Sequence, residues 1–273
     1  MGITVRALSV MEQAVPVKAV LNNQPNRLPE GVFISGISDV EWSDGSVSQG
    51  VKHPGCVYYI DTGDYKIVVD TGAGDIELLS AFRRKRGDVF YLRDEPHWRL
   101  EAQLGRLGVS PDEIDIVINT HLHWDHIGGN TLFKHAKFYI QKDEIPYGLG
   151  TPAYAPHYYS SMRSCVTDIA DRIVVVDGHS HIADGVELWK LGGHTPGSQA
   201  VAVRTDKGTV ALAADVIPKY ENWNYSWPGP AGNFWSLAEL VQAQEWLMRN
   251  ADIVIPGHDW KVWDLYPDGI IAA

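Results

Sequence analysis

Residues 120 to 129 read THLHWDHIGG, which puts His121, His123, Asp125 and His126 within six positions, directly after the apolar residues Ile114, Ile116, Val117 and Ile118. Histidine fills 11 of 273 positions, so three at prescribed places arise by chance about once in 15,000 starts, too rarely for an ordinary surface turn. Neutral imidazole and carboxylate are the donors that Zn²⁺ and similar ions prefer. In a tight loop, alternate residues can face one ion while the neighbouring Asp and His face a second.

Two ions need more donors than these. Three further strand-end signals supply them: GGHTPGS with His194, LAADV with Asp215, and IPGHDW with His258. Each polar residue follows an apolar run and sits beside small or turn-forming residues that let a backbone approach closely. Seven donors suffice for two ions that share one carboxylate. Such a pair brings the pKa of a shared water towards neutrality, makes hydroxide available as a nucleophile, and stabilises the oxyanion of a tetrahedral intermediate. Asp125 is a candidate to orient that nucleophile or carry its proton. Asp70 and Thr195 are candidates to accept the second N–H of ligating rings.

The elements that must position these residues are short. The runs CVYYID (56 to 61) and YKIVVD (65 to 70), separated by TGD, predict a hairpin. Further strands are expected at IVINT, KFYIQ (137 to 141), RIVVVD (172 to 177), VELWKL (186 to 191), AVAVRT (200 to 205), TVALAAD (209 to 215) and ADIVIPGHD. Helices are expected from near Asp75 to the basic cluster RRKRG, from Asp94 to Gly108, and from Ser236 to Arg249 with Leu237, Leu240, Val241 and Trp246 on one face. KDEIPYGLG predicts a single helical turn, and residues 149 to 165 a long aromatic loop of the kind that often forms a lid. Strands broken by helices predict two packed sheets flanked by helices, an α/β fold, read as one domain over residues 1–273.

Composition narrows the partners. A formal charge of −11 repels phosphate backbones and argues against nucleic acid. The basic cluster at 83 to 87 suits a helix C-terminus instead. No apolar run reaches the ~20 residues of a membrane helix, and MGITVRALSV lacks a basic leader and a cleavage site, so a cytoplasmic protein that does not engage membranes is expected. Cys56 and Cys165 suggest neither a disulfide framework nor a thiolate site. His53, His97, His135, His179 and His181 are read as surface or packing residues, and exposed aromatics are compatible with a homodimer.

The order T-H-x-H-x-D-H, then G-H-T-P-G, a lone Asp, and G-H-D resembles the metallo-β-lactamase superfamily from about Val57 to Asp259, and VVDTG (68 to 72) resembles its early strand and turn. The resemblance implies an αβ/βα four-layer sandwich with two divalent ions, zinc first among them and iron, manganese or cobalt compatible. It implies His121, His123 and His194 on one ion, Asp125, His126 and His258 on the other, and Asp215 bridging. His123 stands where flavodiiron oxygen reductases have Glu, and only a short tail follows His258, where glyoxalase II enzymes continue into a helical region.

What remains is similar to the N-acyl homoserine lactonases and related small-lactone hydrolases. Alternatives are hydrolysis of another small ester, thioester or cyclic amide, or a mononuclear iron sulfur-dioxygenase. Lactonases usually carry a Tyr three residues after the bridging Asp. Here VIPKY puts Pro218 there and Tyr220 two residues on, which makes Tyr220 the catalytic candidate, with His157 and Tyr158 as substitutes. The aromatic segment 219 to 235, with Trp223, Tyr225, Trp227, Phe234 and Trp235, is the candidate wall for an acyl chain or ring.

Overall fold

In a computed structural model, described for residues 2–17, 36–150, 163–223 and 234–273, alternation along the strands divides the apolar side chains between layers. The large sheet contains β1 (Thr4–Pro16), β2 (Ile37–Glu41), β3 (Val47–Asp61), β4 (Lys66–Val69), β5 (Tyr91–Arg93), β6 (Ile116–Ile118), β7 (Lys137–Gln141) and β8 (Ile173–Val176). The small sheet contains β9 (Ser180–Ala183), β10 (Val186–Lys190), β11 (Gln199–Thr205), β12 (Gly208–Ala214) and β13 (Ile253–Pro256), and β14 (Ile270–Ala272) returns to the large sheet. Strand order is β14-β1-β3-β4-β6-β7-β8, with β2 on β3 and β5 on β1, and β13-β12-β11-β10-β9 in the other sheet.

Val57, Tyr59, Val68 and Val117 point to an outer core with Leu79, Leu100 and Leu104 of the helices Ile76–Lys85 and Leu100–Arg106. Their neighbours Tyr58, Ile60, Ile67, Val69, Ile116 and Ile118 point inward against Leu188, Val201, Val203, Val210, Leu212 and Ile255 of the small sheet. The far face of that sheet, with Ala200, Ala202, Ala211 and Ala213, is covered by Leu240, Ala243 and Leu247 of the helix Leu237–Asn250. Helix, sheet, sheet, helix is the αβ/βα sandwich. Each inward Val, Leu or Ile contributes about 1.5–3 kcal/mol when fully buried.

Most expected elements are found, with three corrections. The 94–108 region is not one helix: Pro96 opens a short turn at Pro96–Trp98, and Arg99, extended at φ −57° and ψ 137°, separates it from Leu100–Arg106. Helix Leu237–Asn250 buries Leu240 as expected, but with Ala243 and Leu247, while Leu237, Val241 and Trp246 are exposed. Strand β9, which carries His181, is absent from the expected strands. No helix among the described residues is long and apolar enough to cross a membrane.

The sheets bring their strand ends to one edge. Strands β4, β6, β7 and β8 run parallel, as do β12 and β13, so their C-terminal ends point the same way. Sites in open α/β sheets form beyond such ends. At this edge the two sheets are stitched together: Gln199 donates its backbone N–H to Thr120 O (3.0 Å) and its side-chain amide to Asn119 O (2.9 Å).

Candidate metal centre

Each sequence-predicted donor begins where a strand stops. Strand β6 ends at Ile118 and releases His121 and His123, and the short helix Trp124–Ile127 carries Asp125 and His126. The loop from β10 to β11 carries His194. Strand β12 ends on Ala214, whose φ of 44° is a left-handed conformation that a non-glycine residue adopts at a cost. That turn is followed at once by Asp215. Gly257 lets the end of β13 approach it, since a Cβ there would lie 2.7 Å from the Ala214 carbonyl carbon. His258 follows.

These side chains converge into two groups. In the first, His121 Nε2, His123 Nδ1 and His194 Nε2 are 2.9 to 3.2 Å from one another, and Asp215 Oδ2 is 3.3 Å from His194 Nε2. A cation bound at about 2.0–2.1 Å by tetrahedral nitrogen donors sets them about 3.3 Å apart, so the cluster has the size that one ion fills. In the second group, His258 Nε2 is 2.9 Å and His126 Nε2 3.3 Å from Asp215 Oδ1, and Asp125 closes it at 3.7 to 3.8 Å from the two rings. The two oxygens of Asp215 therefore face different groups.

The donor atoms aim inward because the other ring atoms are held. Asp70 Oδ2 accepts the Nδ1–H of His126 at 2.8 Å, and Thr120 N and Oγ1 both donate to Asp70 at 2.8 and 2.7 Å. Thr120 Oγ1 then accepts from His121 Nδ1 at 3.1 Å, and Pro54 O accepts from His258 Nδ1 at 2.9 Å. Such partners fix the tautomer and leave the Nε2 lone pair for a cation. His126 Nε2 and Asp215 Oδ1 are both buried without a hydrogen-bond partner, as two lone-pair atoms facing one cation would be. The donor set fits divalent metal ions.

Electrostatics agree with that fit. Burial, with the neighbouring imidazoles, holds His121 well below the usual histidine range, and burial together with His194 brings His123 down to about 3, so both offer neutral nitrogen. Burial pushes the Asp215 carboxyl up, but His258, His126 and His194 outweigh it and hold it well below the usual range. Burial pushes His126 down, yet Asp215, Asp70 and Asp125 lift it well above an ordinary imidazole. A proton and a cation compete for that nitrogen.

The Metallo-beta-lactamase superfamily model matches residues 52–258. The chain belongs to the metallo-β-lactamase superfamily. An N-acyl homoserine lactonase of a Bacillus species is 30% identical over 210 residues, 74% of this chain and 80% of that protein. A solved N-acyl homoserine lactone hydrolase, with the product N-hexanoyl-L-homoserine at its catalytic metal centre, superposes with a TM-score of 0.75 at 20% identity, covering 96% of this chain and 95% of its own. A dizinc quorum-quenching lactonase, also in complex with a product, superposes at 0.62 with 17% identity, covering 80% and 75%.

Within this superfamily chain, the residue that clamps the two histidine loops together was not anticipated. Buried Glu144 accepts from Leu122 N (2.9 Å), between His121 and His123, and from Thr195 Oγ1 (2.7 Å) and Gly197 N (2.9 Å), beyond His194. KDEIPYGLG gives no local sign of it, because the partners lie 22, 51 and 53 residues away. Glu144→Ala orphans the buried N–H groups of Leu122 and Gly197, leaves Thr195 Oγ1 with Ser198 alone, and is expected to cost about 3 kcal/mol of stability and about 10–100-fold in metal affinity. Chemical denaturation with chelator competition checks both; unchanged affinity would contradict the clamp.

Other expectations are redistributed. Asp70 accepts from the His126 ring as expected, whereas among the described residues Thr195 bonds Glu144 and Ser198 rather than a ring. Pro218, at the position of the lactonase Tyr, accepts the backbone N–H of His258 at 2.7 Å. Tyr220 is partly buried against the inter-sheet core, with Lys261 over its ring, and its own N–H donates to Asp259 at 2.9 Å. Burial first, then Tyr266 and Asp259, push its hydroxyl up. Tyr220→Phe is expected to leave kcat within about twofold, and a larger loss in steady-state kinetics would return it to the site.

His157 and Tyr158 lie outside the described residues, as do Tyr225 and Trp227. Trp223 ends the short helix Tyr220–Trp223 and, with Phe234, packs against the outer core of the small sheet. Trp235 is 48% exposed, its N–H donates to Gly193 O and His194 O, and its ring meets Tyr147 edge-on at 5.4 Å. His53 is buried against His258, their ring centroids 4.9 Å apart. Cys56 is buried, which pushes its thiol up to about 12.

Proposed function

We propose that this metal-dependent hydrolase opens the ring of a small lactone of the N-acyl homoserine type with two divalent ions. The observation that carries the two-ion reading is Asp215, with Oδ2 3.3 Å from His194 and Oδ1 2.9 Å from His258 and 3.3 Å from His126. His121, His123 and His194 would hold one ion, Asp125, His126 and His258 the other, and Asp215 both; nitrogen and carboxylate donors suit zinc first. When bound, such a pair supplies an acidified water and Lewis-acid polarisation of the carbonyl.

The residues of the chain supply the rest. The carboxylates are the exposed side of the cluster, at 11% for Asp125 and 14% for Asp215, against 2% for His126 and 6% for His258. A lactone carbonyl therefore approaches on the carboxylate side. Asp125 stands there with Oδ1 clear of the amide that binds Oδ2, able to orient the attacking water and take its proton. The rings behind it are anchored by Asp70, Thr120 and Pro54, so the donors need no reorganisation during reaction. Trp235 and Tyr147, beside His194, offer an apolar surface for an acyl chain.

The lactone assignment is supported by the 30% identical lactonase, most of whose length the chain spans. One feature favours a second reading, hydrolysis of another small ester, thioester or cyclic amide: Pro218 stands three residues after Asp215, where the resemblance to lactonases implies a Tyr, and Tyr220 packs against the inter-sheet core. The test is a panel of N-acyl homoserine lactones, unrelated lactones, thioesters and cyclic amides, run on protein of measured metal content. Rapid opening of acyl homoserine lactones is the expected result. Activity confined to another ring or ester would replace the lactone reading with the second.

A further inference from the structure

Six of the seven clustered side chains are imidazoles or the shared carboxylate, and the remaining one, Asp125, is held differently. His121, His126 and His258 are anchored by Thr120, Asp70 and Pro54. Asp125, a short flexible carboxylate on a one-turn helix, accepts one hydrogen bond among the described residues: Gln13 Nε2 donates to its Oδ2 at 2.7 Å, across 112 residues of sequence. Gln13 is 6% exposed on β1, so its amide has little water to fall back on.

The strand pairing extends the contact. Gln13 stands opposite His53 in the β1–β3 register, and opposite Leu92 of β5 on its other side. His53 presses edge-on against His258, and its Nδ1 lies 3.4 Å from Pro54 O, the carbonyl that also receives His258. One cross-strand pair thus touches two members of the Asp125–His126–His258 group.

We infer that Gln13 is a positioning residue that sets Asp125 for the second ion, so that β1 tunes the affinity of that ion separately from the first. The inference rests on the two-ion reading above. Gln13→Met keeps the length and roughly the volume of the side chain and removes the donor. The experiment titrates wild-type and Gln13→Met protein with Zn²⁺ against a chromogenic chelator, and with Co²⁺ followed by its visible absorption, alongside thermal unfolding of the metal-free forms.

The expected result is an unchanged first equivalent, a second equivalent weakened about 10–100-fold with an altered Co²⁺ band, and equal metal-free unfolding temperatures. Two unchanged affinities would overturn the role of Gln13 and leave the two-ion reading standing. Equal weakening of both equivalents with a lowered metal-free unfolding temperature would make Gln13 merely structural. A wild type that takes up a single equivalent would overturn the two-ion reading itself, and this inference with it.

Discussion

Asp215→Asn is expected to lower kcat/KM for the preferred substrate by about a thousandfold, about 4 kcal/mol of transition-state stabilisation at 1.4 kcal/mol per tenfold. The replacement keeps the shape, so the fold should survive. It removes the charge, and it turns one of two oxygens into an NH₂ group. Since Oδ1 faces His258 and His126, an NH₂ group turned that way meets ring nitrogens that Pro54 and Asp70 hold as acceptors, and turned the other way it replaces the oxygen that faces His194. One group then loses its shared ligand. Steady-state kinetics with metal analysis of the same preparation is the check, and full turnover with both ions retained would contradict the shared role.

Removal of metal is expected to have the second largest effect, on stability as well as activity. Ions that bind the folded state alone stabilise it by about 4 kcal/mol when free metal stands a thousandfold above Kd. At about 2–4 °C per kcal/mol for a chain of this size, the chelated protein should unfold roughly 10 °C lower. The chemistry of the cluster gives the reason. Three imidazole nitrogens within 3.2 Å, and Asp215, Asp125 and Asp70 around His126, leave buried lone pairs and charge with nothing to neutralise them but protons. Thermal unfolding of chelated and zinc-reconstituted protein measures the difference. Coincident curves would show that the cluster gains nothing from a cation.

What was legible in the sequence was local. THLHWDHIGG announces itself because donors and the strand that presents them are neighbours, and the other three donors each follow an apolar run within a few residues. The unbroken apolar runs of β3, β4 and β6 likewise mark strands covered on both faces, and alternate residues of those runs do face the two cores. Strand β1 was not legible: Arg6, Glu12 and Gln13 interrupt its apolar pattern, and what makes it a strand is pairing with residues about fifty positions away, such as Ala7 with Tyr58. Gln13 was hidden with it. Glu144 was hidden for the same reason, since a carboxylate in a polar segment looks like a surface residue until tertiary structure closes two loops around it. The surroundings of Tyr220 were equally hidden: it lies near Asp215 in sequence, yet its backbone N–H goes to Asp259 and its ring packs against the inter-sheet core, contacts that its local sequence does not announce.

The central claim is that Asp215 is shared between two ions. Anomalous diffraction from crystals of the zinc-loaded protein tests it most directly. The account predicts two peaks about 3.5–4 Å apart on either side of the Asp215 carboxylate, one among His121, His123 and His194 and one among Asp125, His126 and His258. A single peak with the Asp125–His126–His258 group empty at saturating zinc would contradict it.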